Sequence, residues 1–207
     1  MDQIWLKYFP SLSNNQIIQF QKLGELFREY NEKINVVSRK DIDNFEINHL
    51  LHSLSIAKFI DFKPSTKIVD LGTGGGLPGL PLAVMFPEVD FHLIDRIGKK
   101  INVAKDIADE LKLKNVTFQH GDMGECHEKF DFVISRAVTD QQSLIKIAKK
   151  NISNKNFNAI PNGLIALKGG DLKEELGNYA DITEIIPINN YFEEKFFDTK
   201  KIVYTPL

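Results

Sequence analysis

The stretch from Lys67 to Gly79 combines residue types that could hold a nucleotide or nucleoside cofactor. Ile68, Val69 and Leu71 suit a central parallel strand, and five glycines between Gly72 and Gly79 let the backbone take positive φ and approach a ligand closely. Pro78 suits the first turn of a following helix, where its missing N–H costs little. The free N–H groups of such a helix start attract an anion or a carboxylate.

The glycines satisfy two templates. Gly74-x-Gly76-x-x-Gly79 has the spacing of the dinucleotide fingerprint, and Asp95 ends the next strand 23 residues after Gly72, where it could accept ribose hydroxyls. An NAD(P) enzyme is therefore one reading. Asp70, two residues before Gly72, favours another, because an acid ending the first strand resembles the first motif of class I S-adenosylmethionine methyltransferases. S-adenosylmethionine has no pyrophosphate to be repelled and carries a cationic amino acid end. After a third strand, His120-Gly121-Asp122-Met123-Gly124 lies where an adenine placed by Asp95 would reach, so that Asp122 or the backbone of Met123 and Gly124 could contact the base. A plain Gly-Asp turn is the alternative.

Two cations end later strands, Arg136 in Ser135-Arg136-Ala137 and Lys168 in Lys168-Gly169-Gly170. Strand C-termini of a parallel sheet share one edge, so both are expected to flank the same crevice. Enzymes methylating exocyclic amines commonly carry a polar-Pro-Pro-aromatic motif where Ser135-Arg136-Ala137-Val138 stands. The single cysteine, Cys126, precedes strand four, a poor place for the nucleophile that methylation of a pyrimidine carbon needs. His49 and His52 share a helix face, but with no third ligand no metal site is expected; they read as packed or hydrogen-bonded side chains.

Positioning these groups requires an alternating sheet. Strands are expected at 67–71, 90–95, 116–119, 131–134 and 163–167, with helices at 77–85, 98–112, 140–150 and 171–178, which implies right-handed crossovers and a mostly parallel sheet. The tail, 182–188 and 201–205, reads as an antiparallel pair at the sheet edge. Ahead of the sheet, Ser13 to Gln16 has the form of a capping box before a helix patterned by Ile17, Phe20, Leu23, Leu26, Phe27 and Tyr30. Phe45, Ile47, Leu50, Leu51, Leu54 and Ala57 mark a second helix. Residues 1–62 thus form an N-terminal helical cap and 63–207 a Rossmann-like domain. A chain of 207 residues buries about 70% of its unfolded surface and needs no covalent staple. One cysteine excludes an internal disulfide and fits a reducing compartment. No export signal and no membrane span are expected, and the cytoplasm is the default. The net charge of −2 means that a polyanion would be met by a local basic patch.

Asn31, Asn35, the run His49 to Ser53, the block Asp70 to Gly79, Gly98-Lys99-Lys100, Ser135-Arg136-Ala137 and Leu167-Lys168-Gly169 together resemble the RsmG (GidB) family. The resemblance implies a class I methyltransferase, with a mostly parallel seven-stranded sheet and an antiparallel last strand. Its implied reaction is transfer from S-adenosyl-L-methionine to N7 of a guanine in 16S ribosomal RNA, as naked RNA or within the small subunit. It implies cofactor contacts at Gly72, Leu77, Met123, Gly124 and Arg136, to which the residue pattern adds Asp70, Thr73, Gly74, Asp95 and Asp122. Many relatives carry Asp where His52 stands and Glu where Gly124 stands, which leaves only the backbone of Gly124 for ligand contacts. Guanine N7 has a free lone pair, so no general base is expected and Arg136 is a positioning group. Lys168, Arg39, Lys40, Lys99 and Lys100 are candidate RNA contacts, and a monomer is expected. An oxidoreductase, a methyltransferase with another substrate and an inactive ribosome-assembly factor are the competing readings.

Overall fold

A computed structural model describes residues 3–38 and 40–207 of the chain, so the candidate RNA contact Arg39 lies outside the described residues. Its centre is β1 (Lys67–Leu71), flanked in parallel by β2 (Asp90–Asp95) and β4 (Phe132–Arg136). β3 (Val116–His120) extends one side and β5 (Gly163–Gly169) the other. β7 (Lys200–Pro206) runs antiparallel to β5, and β6 (Glu184–Pro187) pairs antiparallel with β7 as the edge, giving the order β3-β2-β1-β4-β5-β7-β6. The central strands β1, β4 and β5 are buried on both faces because both are covered. Ile68, Phe132, Ile134 and Ile165 enter one apolar cluster, whereas their neighbours Val69, Val133 and Leu164 enter a second on the opposite face.

The helices on these faces are α5 (Gly79–Met85), α6 (Gly98–Glu110), α7 (Gln141–Ala148) and the short α8 (Lys173–Leu176). Before the sheet come α1 (Ile4–Tyr8) and α2 (Asn14–Lys33), the latter opened by the expected capping box between Ser13 and Gln16. Gln16 also donates to the carbonyls of Val84 and Met85, which ties α2 to the end of α5. The expected second helix is a broken run: a 3-10 turn (Ile42–Asn44), a π-helical turn (Glu46–Leu51), α3 (His52–Leu54) and α4 (Ile56–Phe59). Phe20, Phe27, Phe45 and Leu54 of this N-terminal part share one cluster with Leu80, Phe91 and Phe132, so helices and sheet bury a common core. β4 extends to Arg136 rather than 134, because Arg136 pairs in register with Leu167. Among the described residues no helix is long and apolar enough to cross a membrane.

Candidate functional site

Register brings the ends of β1, β2, β4 and β5 level: Leu71 lies opposite Ile94 and Ser135, and Arg136 opposite Leu167. A cleft of about 1200 Å³ opens on this edge. It gathers Gly72, Thr73, Gly74, Leu77, Asp95, Asp122, Met123, Arg136, Lys168 and Lys100 from the expected site residues. The helical run and the tail add a wall, including Ser38, Asp41, Asn48, His49, His52, Phe196 and Lys200, none of them among the expected cofactor or RNA contacts. Asn31 helps to build it: its buried Oδ1 accepts from the N–H groups of Val36 (2.9 Å) and Val37 (3.0 Å). Val36 thereby seats against Gly75, where an added Cβ would lie 2.9 Å from Val36 Cβ.

The loop after β1 is organised from beneath. Asp70, expected to face the cofactor, is fully buried and does not line the cleft. Its Oδ2 accepts from Thr73 Oγ1 at 2.6 Å and from the Gly79 N–H at 2.8 Å. The start of α5, expected to offer N–H groups to an anion, thus has one of them satisfied by the chain's own carboxylate. Burial pushes the Asp70 carboxyl up to about 7, against the hydrogen bonds from Thr73 and Gly79 and the charge of Arg136. Gly72, Gly74 and Gly76 adopt positive φ. At Gly72 an added Cβ would also strike Val138 at 2.5 Å, whereas beside Gly74 the nearest atom is Lys100 Cδ at 3.9 Å. Gly74 therefore presents bare backbone to the cleft, as a cofactor cradle requires, and Asp95 braces it by accepting from the Gly74 N–H at 2.8 Å. The other Asp95 oxygen accepts from the Ile97 N–H at 2.8 Å. A carboxylate has about four acceptor positions, so Asp95 retains capacity for ribose hydroxyls.

On the adenine side, Asp122 caps a 3-10 turn (Met123–Glu125) by accepting from the Gly124 N–H at 2.6 Å, and it pairs with Arg96. These two partners hold its carboxyl below the usual range. Gly124 departs from expectation: it does not line the cleft, its N–H is taken by Asp122 and its carbonyl accepts from Lys150 at 2.7 Å. Met123 is buried and does line it. Cys126 is buried in the apolar cluster beside Met123.

Arg136 is half-buried and donates from Nη1 to His49 Nδ1 at 3.0 Å. Arginine has no acceptor, so His49 accepts at Nδ1 and carries its proton on Nε2, a buried atom with no protein partner among the described residues. Burial first, and then the Arg136 charge, hold His49 down at about 3. His52 is also buried, edge-on to Phe196 and Phe197, and is held well below its usual range by the same causes. The pair is a packed one, and among the described residues no group of three metal-ligating side chains occurs. Lys168 lines the cleft but donates to Glu175 at 2.7 Å and to the Thr139 carbonyl, so its cation is already paired. Lys40 and Lys99 are exposed outside the cleft lining, whereas Lys100 reaches it.

Comparison with known proteins matches this architecture. The chain is similar in fold to precorrin-6y C5,15-methyltransferase from Geobacter metallireducens, at TM-score 0.55 and 11% identity over 75% of this chain and 86% of that one. It is also similar to a mutant of MtNAS solved in complex with S-adenosylmethionine, at TM-score 0.57 and 11% identity over 91% and 71% of the two chains. At these identities the likeness is one of fold. Sequence reaches further. The protein of Bacteroides thetaiotaomicron named ribosomal RNA small subunit methyltransferase G is 55% identical over 99% of this chain and 100% of its own length. That of Flavobacterium johnsoniae, of the same name, is 49% identical over 100% and 98%. The family model described as GidB, rRNA small subunit methyltransferase G, matches residues 16–196. On that match and these full-length identities, the chain belongs to the GidB family of rRNA small subunit methyltransferases.

Proposed function

We propose that this protein transfers a methyl group from S-adenosyl-L-methionine to N7 of a guanine in 16S ribosomal RNA, acting as a monomer in the cytoplasm. The observation that carries the reading is the cleft at the strand ends, in which the Gly72–Gly74 backbone and Asp95 stand together with Arg136. Gly72, Thr73, Gly74 and Leu77 would hold the amino acid end, Asp95 the ribose hydroxyls, and Asp122 with Met123 the adenine. When bound, S-adenosyl-L-methionine supplies an electrophilic methyl on a sulfonium. The protein's part is orientation and exclusion of water, since guanine N7 attacks through an existing lone pair and no proton has to be removed. Arg136 is suited to this part: burial lowers it only to about 10, so it stays charged at neutral pH, and one donor is fixed by His49. It would contact the cofactor, guanine O6 or a phosphate and not N7, because a donor at N7 would occupy the attacking lone pair.

The test is incubation of the protein with labelled S-adenosyl-L-methionine and small subunits from a strain lacking this gene, followed by mapping of the modified base. Label at one guanine N7 is expected; no incorporation into ribosomal RNA overturns the proposal. Arg136→Ala should lower the single-turnover rate at least about tenfold with the melting temperature unchanged.

A further inference from the structure

Among the described residues four carboxylates line the cleft: Asp41, Asp95, Asp122 and Glu175. Three are engaged by donors of the protein, and two of these, Asp95 and Asp122, belong to the proposed cofactor side. Asp95 holds the Gly74 and Ile97 N–H groups, Asp122 holds the Gly124 N–H and Arg96, and Glu175 holds Lys168. Asp41 differs. Its backbone starts the 3-10 turn Ile42–Asn44, but its side chain makes no capping bond there. Among the described residues its carboxylate receives a single long bond, 3.3 Å from Asn48 Nδ2 to Oδ1, and Oδ2 receives none. Asp41 lines the same cleft as Arg136 and His49, and its charge is felt by both.

A carboxylate offers two acceptors side by side. Of the four bases, guanine alone presents two adjacent donors on its Watson–Crick edge, N1–H and the N2 amino group. Adenine and cytosine place an acceptor beside their amino group, and uracil flanks its single N–H with carbonyls. Base edges of this kind are readable where a nucleotide is unstacked. In guanine that edge lies on the opposite side of the bicycle from N7, so a base gripped there keeps N7 free.

We infer that Asp41 is the specificity-determining residue for the accepting base, its carboxylate taking the N1–H and N2–H donors of the target guanine while N7 remains open to the methyl group. This rests on the guanine-N7 reaction proposed above. Asp41 arrives on the helical segment that precedes the sheet, so base choice and cofactor binding are assigned to different parts of the chain.

The decisive comparison is Asp41→Asn with Asp43→Asn. Asn retains an oxygen for Asn48 but presents an amide N–H₂ to the guanine donors. Asp43 is on the same turn and absent from the cleft lining, so its variant removes the same charge without touching the base. Single-turnover methylation of unmodified small subunits should fall about 10–100-fold for Asp41→Asn, the worth of one bidentate base contact. Asp43→Asn should stay within about twofold, and calorimetric affinity for S-adenosyl-L-methionine should match wild type in both. A wild-type rate in Asp41→Asn, an equal loss in the two variants, or a parallel loss of S-adenosyl-L-methionine binding overturns the inference. A wild-type protein that methylates no ribosomal guanine overturns the proposed reaction instead, so the two failures are distinguishable.

Discussion

His49 accepts a hydrogen bond from the arginine at the centre of the cleft, and a single ring nitrogen decides whether that arginine is oriented. Protonating Nδ1 would set a cation against the guanidinium, which adds to burial in keeping the ring neutral down to about 3. Replacing the acceptor while keeping the ring separates this role from mere filling of space. His49→Phe preserves the aromatic contact with Phe45, at a 5.7 Å centroid distance, but has no acceptor. His49→Asn places an oxygen near the position of Nδ1. The expected outcome is a methyl-transfer rate reduced about tenfold in His49→Phe, the cost of one unmet charged donor, and largely restored in His49→Asn. Equal rates in the two variants, at equal melting temperatures, would show that the Arg136 bond is immaterial.

The loop between β1 and α5 shows how an element can be legible while its wiring is not. Strand, glycines and helix start are readable because both faces of β1 are buried and glycine takes the positive φ at Gly72 and Gly74 at the least cost. The direction of Asp70 is not: a strand-end acid can turn toward the ligand or beneath the loop, and pattern alone does not distinguish them. The π-helical turn at Glu46–Leu51 is equally hidden, since periodicity marks the apolar face of Leu50 and Leu54 but not one extra residue in a turn. That turn carries His49 and leads directly into His52, so that two packed histidines become part of the cleft wall. The Asp70 wiring also makes Gly79 critical. An added Cβ there would lie 2.8 Å from Asp70 Oδ2 and 2.9 Å from Leu93 Cδ1, closer than real contacts allow. Gly79→Ala should therefore cost about 1–3 kcal/mol in urea unfolding and weaken S-adenosyl-L-methionine binding with it. An unchanged midpoint would mean that the carboxylate yields freely.

For the whole molecule, the burial that builds this cleft sets how stability responds to acid. The unfolded chain protonates His49 and His52 near pH 6.5, whereas the folded chain resists protonation of His49 down to about 3 and of His52 well below its ordinary value. Between those limits the unfolded state binds more protons, so stability falls as pH drops from about 6.5 toward 3. Asp70 acts in the opposite sense. Its folded carboxyl holds a proton up to about 7 against an ordinary 3.8, so its contribution is present in acid and is lost as pH rises through that window. Two histidines oppose one aspartate, and the charges around the histidines reinforce the outcome: Arg136 disfavours both imidazolium forms and Lys200 adds to it at His52, with Asp41 alone opposing at His49. The denaturant midpoint should therefore be lower at about pH 5 than at about pH 7. His52→Met, which keeps an apolar partner for Phe196 and Phe197 but cannot titrate, should shrink that difference. A pH 5 to pH 7 difference that His52→Met leaves unchanged would mean that His52 is not held neutral in the folded chain.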